Sequence, residues 1–139
     1  MEWDAYLMGF ARHAALKSKD STQVGAVLTD NRRVLLTAYN GPPSGVVDCD
    51  ERRERPTKYL FASHAEANLV AFAARSGVTT AGSTIFVTHH PCASCARSVI
   101  QAGIQCVVVG DGTTSMPAEE FEAAAIMFAE AGVEVRHAS

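Results

Sequence analysis

Hydrophobic and polar positions follow two rhythms along this chain, and the switches between them predict the order of elements. Trp3, Leu7, Phe10 and Ala14 recur at helical spacing and predict a helix over residues 3–17. The stretch QVGAVLTDNRRVLLTAYN then sets two apolar runs, 23–29 and 33–39, around the polar turn DNRR, the pattern of a β-hairpin. Residues 40–57 hold Gly41, Pro42, Pro43, Gly45 and many charges, and predict a long loop. Loops of that length inside compact domains are usually functional or disordered. A second helix is expected from Ser63 or His64 to about Arg75, stopped by Gly77, a good C-cap residue. STIFVTH reads as a third strand, ASCARSVIQA as a third helix closed by Gly103, and QCVVVG as a fourth strand. TTSMPAEEFEAAAIMFAEAG puts a proline and two acids at a helix start and ends on Gly132, before the short strand VEVRH.

The order α-β-β-α-β-α-β-α-β predicts a single α/β domain over 1–139, its five-stranded sheet covered by helices. A helix joins the last two strands, and a crossover of that kind makes them parallel. No internal repeat or low-complexity segment appears.

Composition narrows the class. At 139 residues, 47% hydrophobic and 19% charged, the chain suits an ordinary globular protein with a core of its own. No apolar run approaches the roughly 18 residues of a membrane span. The start, MEWDAYLMGF, carries acids where a signal peptide carries basic residues, so the expectation is a cytoplasmic protein whose four cysteines are thiols or metal ligands. A net charge of −3 argues against wrapping a long polynucleotide, which calls for a basic footprint. It leaves room for a small anionic ligand. Basic residues do gather in DERRERPTK, as Arg52, Arg53, Arg55 and Lys58, with Glu51 and Glu54 partly neutralising them.

The candidate chemistry centres on VTHHPCASCARSVI. Cys92 and Cys95 stand at a helix start after a strand, which suits a redox dithiol, half of a structural zinc knuckle, or a catalytic metal site. A structural zinc site normally needs a second knuckle, and no second Cys-x-x-Cys exists; Cys49 and Cys106 are isolated. Upstream, YLFASHAEANLV places His64 and Glu66 two apart in the first turn of the second helix, too divergent to ligate one ion together. With His64 as third ligand beside Cys92 and Cys95, a zinc ion keeps an open fourth position, as catalytic zinc does. Glu66 beside that position is free to move protons. His-x-Glu followed by Pro-Cys-x-x-Cys is the pattern of zinc deaminases.

On these segments the chain resembles the zinc-dependent cytidine and deoxycytidylate deaminase superfamily, and most closely its deoxycytidylate (dCMP) branch. SKDSTQVGAVLTD is similar to the family's first strand and lead-in, AYNGPPSG to its substrate loop, and KYLFASHAEAN and PCASCARSVIQAGI to its two metal segments, together roughly residues 12–110. The resemblance implies a three-layer α-β-α sandwich and a mixed sheet with parallel last two strands. It implies one zinc ion on His64, Cys92 and Cys95, with Glu66 passing a proton from the attacking water to the ring nitrogen and then to the leaving amine. It implies that the amide of Ala65 holds the base carbonyl and that Asn40 contacts the sugar. The reaction implied converts dCMP, or a 5-modified dCMP, to the uracil nucleotide and ammonia. A homo-oligomer is implied too, a hexamer as in the family or a dimer.

Three departures bear on the phosphate and on regulation. The lead-in after Ser18-Lys19-Asp20 is one residue shorter and lacks a proline. The usual Gly-Tyr-Asn-Gly, tied in the family to nucleotide effectors, with which Mg2+ would travel, reads Ala38-Tyr39-Asn40-Gly41, leaving Tyr39 and Gly41 as regulatory candidates. GDGTTSM has no tyrosine where many members keep one near the phosphate. Lys19, Arg52, Arg53 and Arg55 are the candidate phosphate clamp. Of the pair His89 and His90, strand alternation sends one inward and one outward, and His90, next to Pro91, is the candidate pocket residue. Alternatives are the same chemistry on a nucleoside, a free base or a tRNA adenosine, and a silent zinc-binding regulatory domain.

Overall fold

The computed structural model describes residues 1–138. Its elements run α1 (Trp3–Ala15), β1 (Gly25–Asp30), β2 (Arg33–Tyr39), α2 (Asp50–Arg53), α3 (Lys58–Phe61), α4 (Ala65–Ser76), β3 (Thr84–His89), α5 (Ala93–Gln101), β4 (Cys106–Gly112), α6 (Ala118–Ala131) and β5 (Glu134–His137). The five strands form one mixed sheet in the order β2-β1-β3-β4-β5. β1 pairs antiparallel with both β2 and β3, whereas β3–β4 and β4–β5 are parallel. The hairpin turn is made by Asn31 and Arg32, both at positive φ, the twist a tight β-hairpin requires.

Both faces of the sheet are covered, which is why its central strands are nearly continuous apolar runs. Ala26, Leu28, Ile85, Val87, Val107 and Val109 point to a core shared with α4, α5 and α6. Their neighbours Val27, Phe86, Cys106 and Val108 point the other way, onto Leu7, Met8 and Ala11 of α1. The layering is helix, sheet, helix.

Helix α1 departs from expectation in its end, at Ala15, and in the face it buries. Leu7 is buried, but beside Met8, Ala11 and Ala15, while Trp3 and Phe10 stay exposed. Gly25 gives the physical reason. A Cβ there would fall on the backbone of α1, overlapping the Ala11 carbonyl and lying 2.6 Å from the Ala15 amide nitrogen. Helix and strand touch backbone to backbone, so the small side chains turn inward and the aromatic ones outward. Outside, Trp3, Tyr6 and Phe10 form a ladder of edge-to-face contacts.

The expected loop over 40–57 contains a single helical turn, α2, with acids in its first turn and arginines in its last, each favoured by the helix dipole. The turn α3 follows. β4 continues to Gly112 because His89 pairs with it, past the expected end at Gly110.

Candidate active site

Two helices begin side by side at one edge of the sandwich. His64 occupies the N-cap position of α4 and Cys92 that of α5, and neither side chain caps its own helix. They turn towards each other instead. His64 Nδ1 lies 3.3 Å from Cys95 Sγ and 3.5 Å from Cys92 Sγ, and the three donor atoms all lie within 4.8 Å of one another. A tetrahedral zinc ion with ordinary Zn–N and Zn–S bonds sets a nitrogen and a sulfur ligand about 3.6 Å apart. The three side chains fit such an ion. Both cysteines are buried and His64 is exposed, so the group opens on one side only.

The electrostatics suit a cation as well. The thiol of Cys92 is pulled down to about 4, first by its hydrogen bond with Cys95 and then by His64, while Cys95 is pushed up by the same sulfur pairing. His64 is held above the usual imidazole range, chiefly by Cys92. The pairing makes one sulfur give up its proton more readily than a free thiol. Glu66 is almost fully buried, at 4% exposure, and that burial pushes its carboxyl above the usual carboxylate range. A carboxyl so placed holds and releases a proton nearer neutrality than an exposed one.

These residues line a cleft of about 360 Å³, within the range of small-molecule sites. Ala65 lines it at the first turn of α4, where its amide has no backbone partner; the first intrahelical bond runs from the Asn68 amide to the His64 carbonyl. Asn40 is also in the wall. Its Nδ2 donates to the Thr22 carbonyl at 2.8 Å and its Oδ1 accepts from the Val24 amide at 3.0 Å, leaving one N–H and one lone pair over. Gly41 and Ser63 exchange two backbone hydrogen bonds, tying the end of β2 to the segment that delivers His64. Tyr39 is exposed, and its carbonyl accepts from Asn68 Nδ2.

Both histidines of the pair line the cleft, against the expected alternation. The β3–β4 register shifts between Val87 and His89, and Pro91 follows, so the strand's regular alternation ends there. The His89 ring fills the space over Gly112 that a Cβ would need, with its Nδ1 2.7 Å from Thr88 Oγ1; burial lowers its pKa. His90 donates from Nδ1 to the Pro91 carbonyl at 2.8 Å and packs edge-on against Phe121.

Of the basic candidates, Lys19 does not line this cleft. It lines a small pocket of about 10 Å³ with Gly41, Arg52 and Arg53, which adjoins the cleft along Asp20, Asn40, Lys58 and Ala62. Arg55 and Lys58 line the cleft. Lys58 is buried and its Nζ reaches both oxygens of Asp20, at 3.1 and 3.3 Å. Glu120 of α6 accepts the Ala93 amide at 3.2 Å, capping α5 just after Cys92. Neither pairing has a local sequence signal. Asp20 and Lys58 are 38 positions apart, and the acids of α6 read as partners of their own helix dipole.

The family model for the cytidine and deoxycytidylate deaminase zinc-binding region matches residues 1–111. The chain belongs to this family. An uncharacterized deaminase in the luxG 3′ region of Aliivibrio fischeri is 41% identical over 138 residues, 96% of this chain and 92% of that protein. The deoxycytidylate deaminase of Mus musculus is 34% identical over 144 residues, covering 98% of this chain and 79% of its own length. The crystal structure of the dCMP deaminase of cyanophage S-TIM5 in complex with dCMP and dUMP superposes with a TM-score of 0.79 at 28% identity, over 97% of this chain and 95% of that one. The family and the His-Cys-Cys group together point to zinc. No described helix is long and apolar enough to cross a membrane.

Proposed function

We propose that this protein hydrolyses the exocyclic amino group of dCMP, giving dUMP and ammonia, with zinc on His64, Cys92 and Cys95. The observation that carries the reading is a buried carboxyl, Glu66, beside a three-ligand group that opens into a nucleotide-sized cleft. Zinc held there supplies the Lewis acidity that makes water nucleophilic near neutral pH. Glu66 takes the proton of the attacking water, delivers it to the ring nitrogen, and carries a proton to the departing amine. The amide of Ala65 binds the base carbonyl. Asn40, clamped by two backbone groups, offers its remaining N–H and lone pair to a sugar hydroxyl. His90, locked by Pro91 and Phe121, is a wall of the base pocket. Tyr39 and Gly41 are assigned to an effector contact, with Mg2+ accompanying the effector, on the family resemblance. On the same ground we read the chain as one cytoplasmic domain assembling into a homo-oligomer and acting on free nucleotides.

The test follows the ultraviolet change as cytosine becomes uracil. Zinc-loaded protein is incubated in parallel with dCMP, deoxycytidine and dCTP. The expected result is turnover of dCMP well above the other two. Glu66→Ala should lower kcat by about 10² to 10⁴ while keeping one zinc per chain. Silence on all three substrates would overturn the assignment.

A further inference from the structure

A dCMP deaminase must recognise a phosphomonoester dianion, and the segment after β4, with no basic residue between Gly112 and Pro117, offers it no cation. The cleft itself is not obviously prepared for such charge. Its wall includes two carboxyl side chains, Asp20 and Glu66, and two permanent cations, Arg55 and Lys58.

Lys58 is already committed. Its ammonium reaches both oxygens of Asp20, the two side chains being 11% and 8% exposed, and Asp20 is itself pinned by the Thr22 amide at 2.9 Å. Handing that ammonium to a ligand would leave a buried carboxylate without its counter-charge, which proteins avoid. The pair is a neutral strut. Arg52 and Arg53 of the same loop are committed as well. Arg52 donates to the Val47 carbonyl at 3.2 Å and lies 4.3 Å over the Phe61 ring. Arg53 is held by Asp48 and Asp50. Lys19 lies on the other pocket.

We infer that Arg55 reads the substrate phosphate, held at the cleft rim between the anchored side chains of Arg53 and Lys58. It is exposed, it lines the cleft, and among the described residues its guanidinium has no ion pair or hydrogen bond. A guanidinium presents a planar fork that matches two phosphate oxygens at once and stays charged at every working pH. Anchors on either side in sequence hold the backbone while leaving this one cation free, so a ligand can take it without breaking an existing ion pair. Phosphate selection then comes from the loop before α4, not from the segment after β4.

This inference rests on the nucleotide reading, so its test uses equilibrium binding of the product and its nucleoside, with no turnover required. The readout is the ratio of the affinity for dUMP to that for deoxyuridine, measured by calorimetric competition. Arg55→Met should reduce that ratio about 10- to 100-fold, the scale of a lost charge-assisted contact. Arg55→Lys should recover part of it, and Lys19→Met should leave it within twofold. Raising salt should shrink the wild-type ratio but not that of Arg55→Met. A large wild-type ratio that survives in Arg55→Met overturns the role of Arg55 and leaves the nucleotide reading standing. A wild-type ratio near one overturns both.

Discussion

The two faces of the sheet are built for different purposes. One is covered by α1 alone, meeting the strands through small residues and a direct backbone contact at Gly25. The other carries three helices, and the starts of α4, α5 and α6 converge on the cleft through His64, Cys92, Pro117 and Phe121. A helix start is normally stabilised by a Ser, Thr, Asp or Asn side chain, worth about 1 kcal/mol. Here the N-cap positions of α4 and α5 hold a histidine and a cysteine that make no cap bond. At α4 and α5 those positions aim donor atoms from two chain segments at one point, and Glu120 of α6 caps α5 from outside. Helix α1 also lacks a cap bond, at Glu2, but that side chain is exposed and joins no group of donor atoms.

The largest effect should come from breaking the active face. In Cys95→Ser, zinc content should fall from one per chain to a small fraction, and activity by about 10³-fold or more, because the water is no longer activated. Far-ultraviolet circular dichroism should stay close to wild type, since both cores are untouched. Full zinc retention with full activity would remove Cys95 from the ligand set.

Gly25→Ala should sharpen the contrast from the other side. The new methyl meets helix backbone, which cannot swing away as a flexible side chain can. Overpacking of that kind costs about 3 kcal/mol. Urea unfolding should report the loss, while zinc content and kcat per folded molecule stay within twofold. A large drop in kcat well below the unfolding transition would show that the two faces are coupled, the Gly25 amide bond to Thr88 Oγ1 being the obvious route.

What could be read from the sequence was local. His64, Glu66, Cys92 and Cys95 lie in two short motifs, and the hairpin turn and the glycine stops of α4 and α6 are signalled within a few residues. The features that escaped depend on long-range packing. The strut between Asp20 and Lys58 and the cap of Ala93 by Glu120 join segments whose spacing carries no rhythm. Helix α1 has two apolar stripes, and only the close approach of Gly25 decides which one turns inward. The two histidines obey alternation only while β3 is regular, and the register shift before His89 ends it. Lys19 and Arg55 look equivalent as letters; their difference is which pocket each one faces.

The smallest effect lies on the α1 face, where Asp4 receives two hydrogen bonds from Arg136 of β5, Nε at 2.8 Å and Nη2 at 2.9 Å. The clamp joins the first helix to the last strand, but the side chains are 33% and 41% exposed, so solvent screens it. Asp4→Asn should therefore cost less than about 1 kcal/mol at pH 7. Its pH dependence has a definite sign. The Arg136 hydrogen bond holds the Asp4 carboxyl below the usual carboxylate range. A group whose folded pKa is depressed contributes stability above its unfolded pKa, about 3.9, and loses it as pH falls through the lower folded value. The stability gap between wild type and Asp4→Asn, from urea titrations, should be flat from about pH 5 to 8 and close below about pH 4. A gap that persists in acid would mean the clamp works through packing of the Arg136 stem and its contacts to Glu134 and Cys106. The clamp between α1 and β5 would then be held by shape, as the backbone contact at Gly25 is.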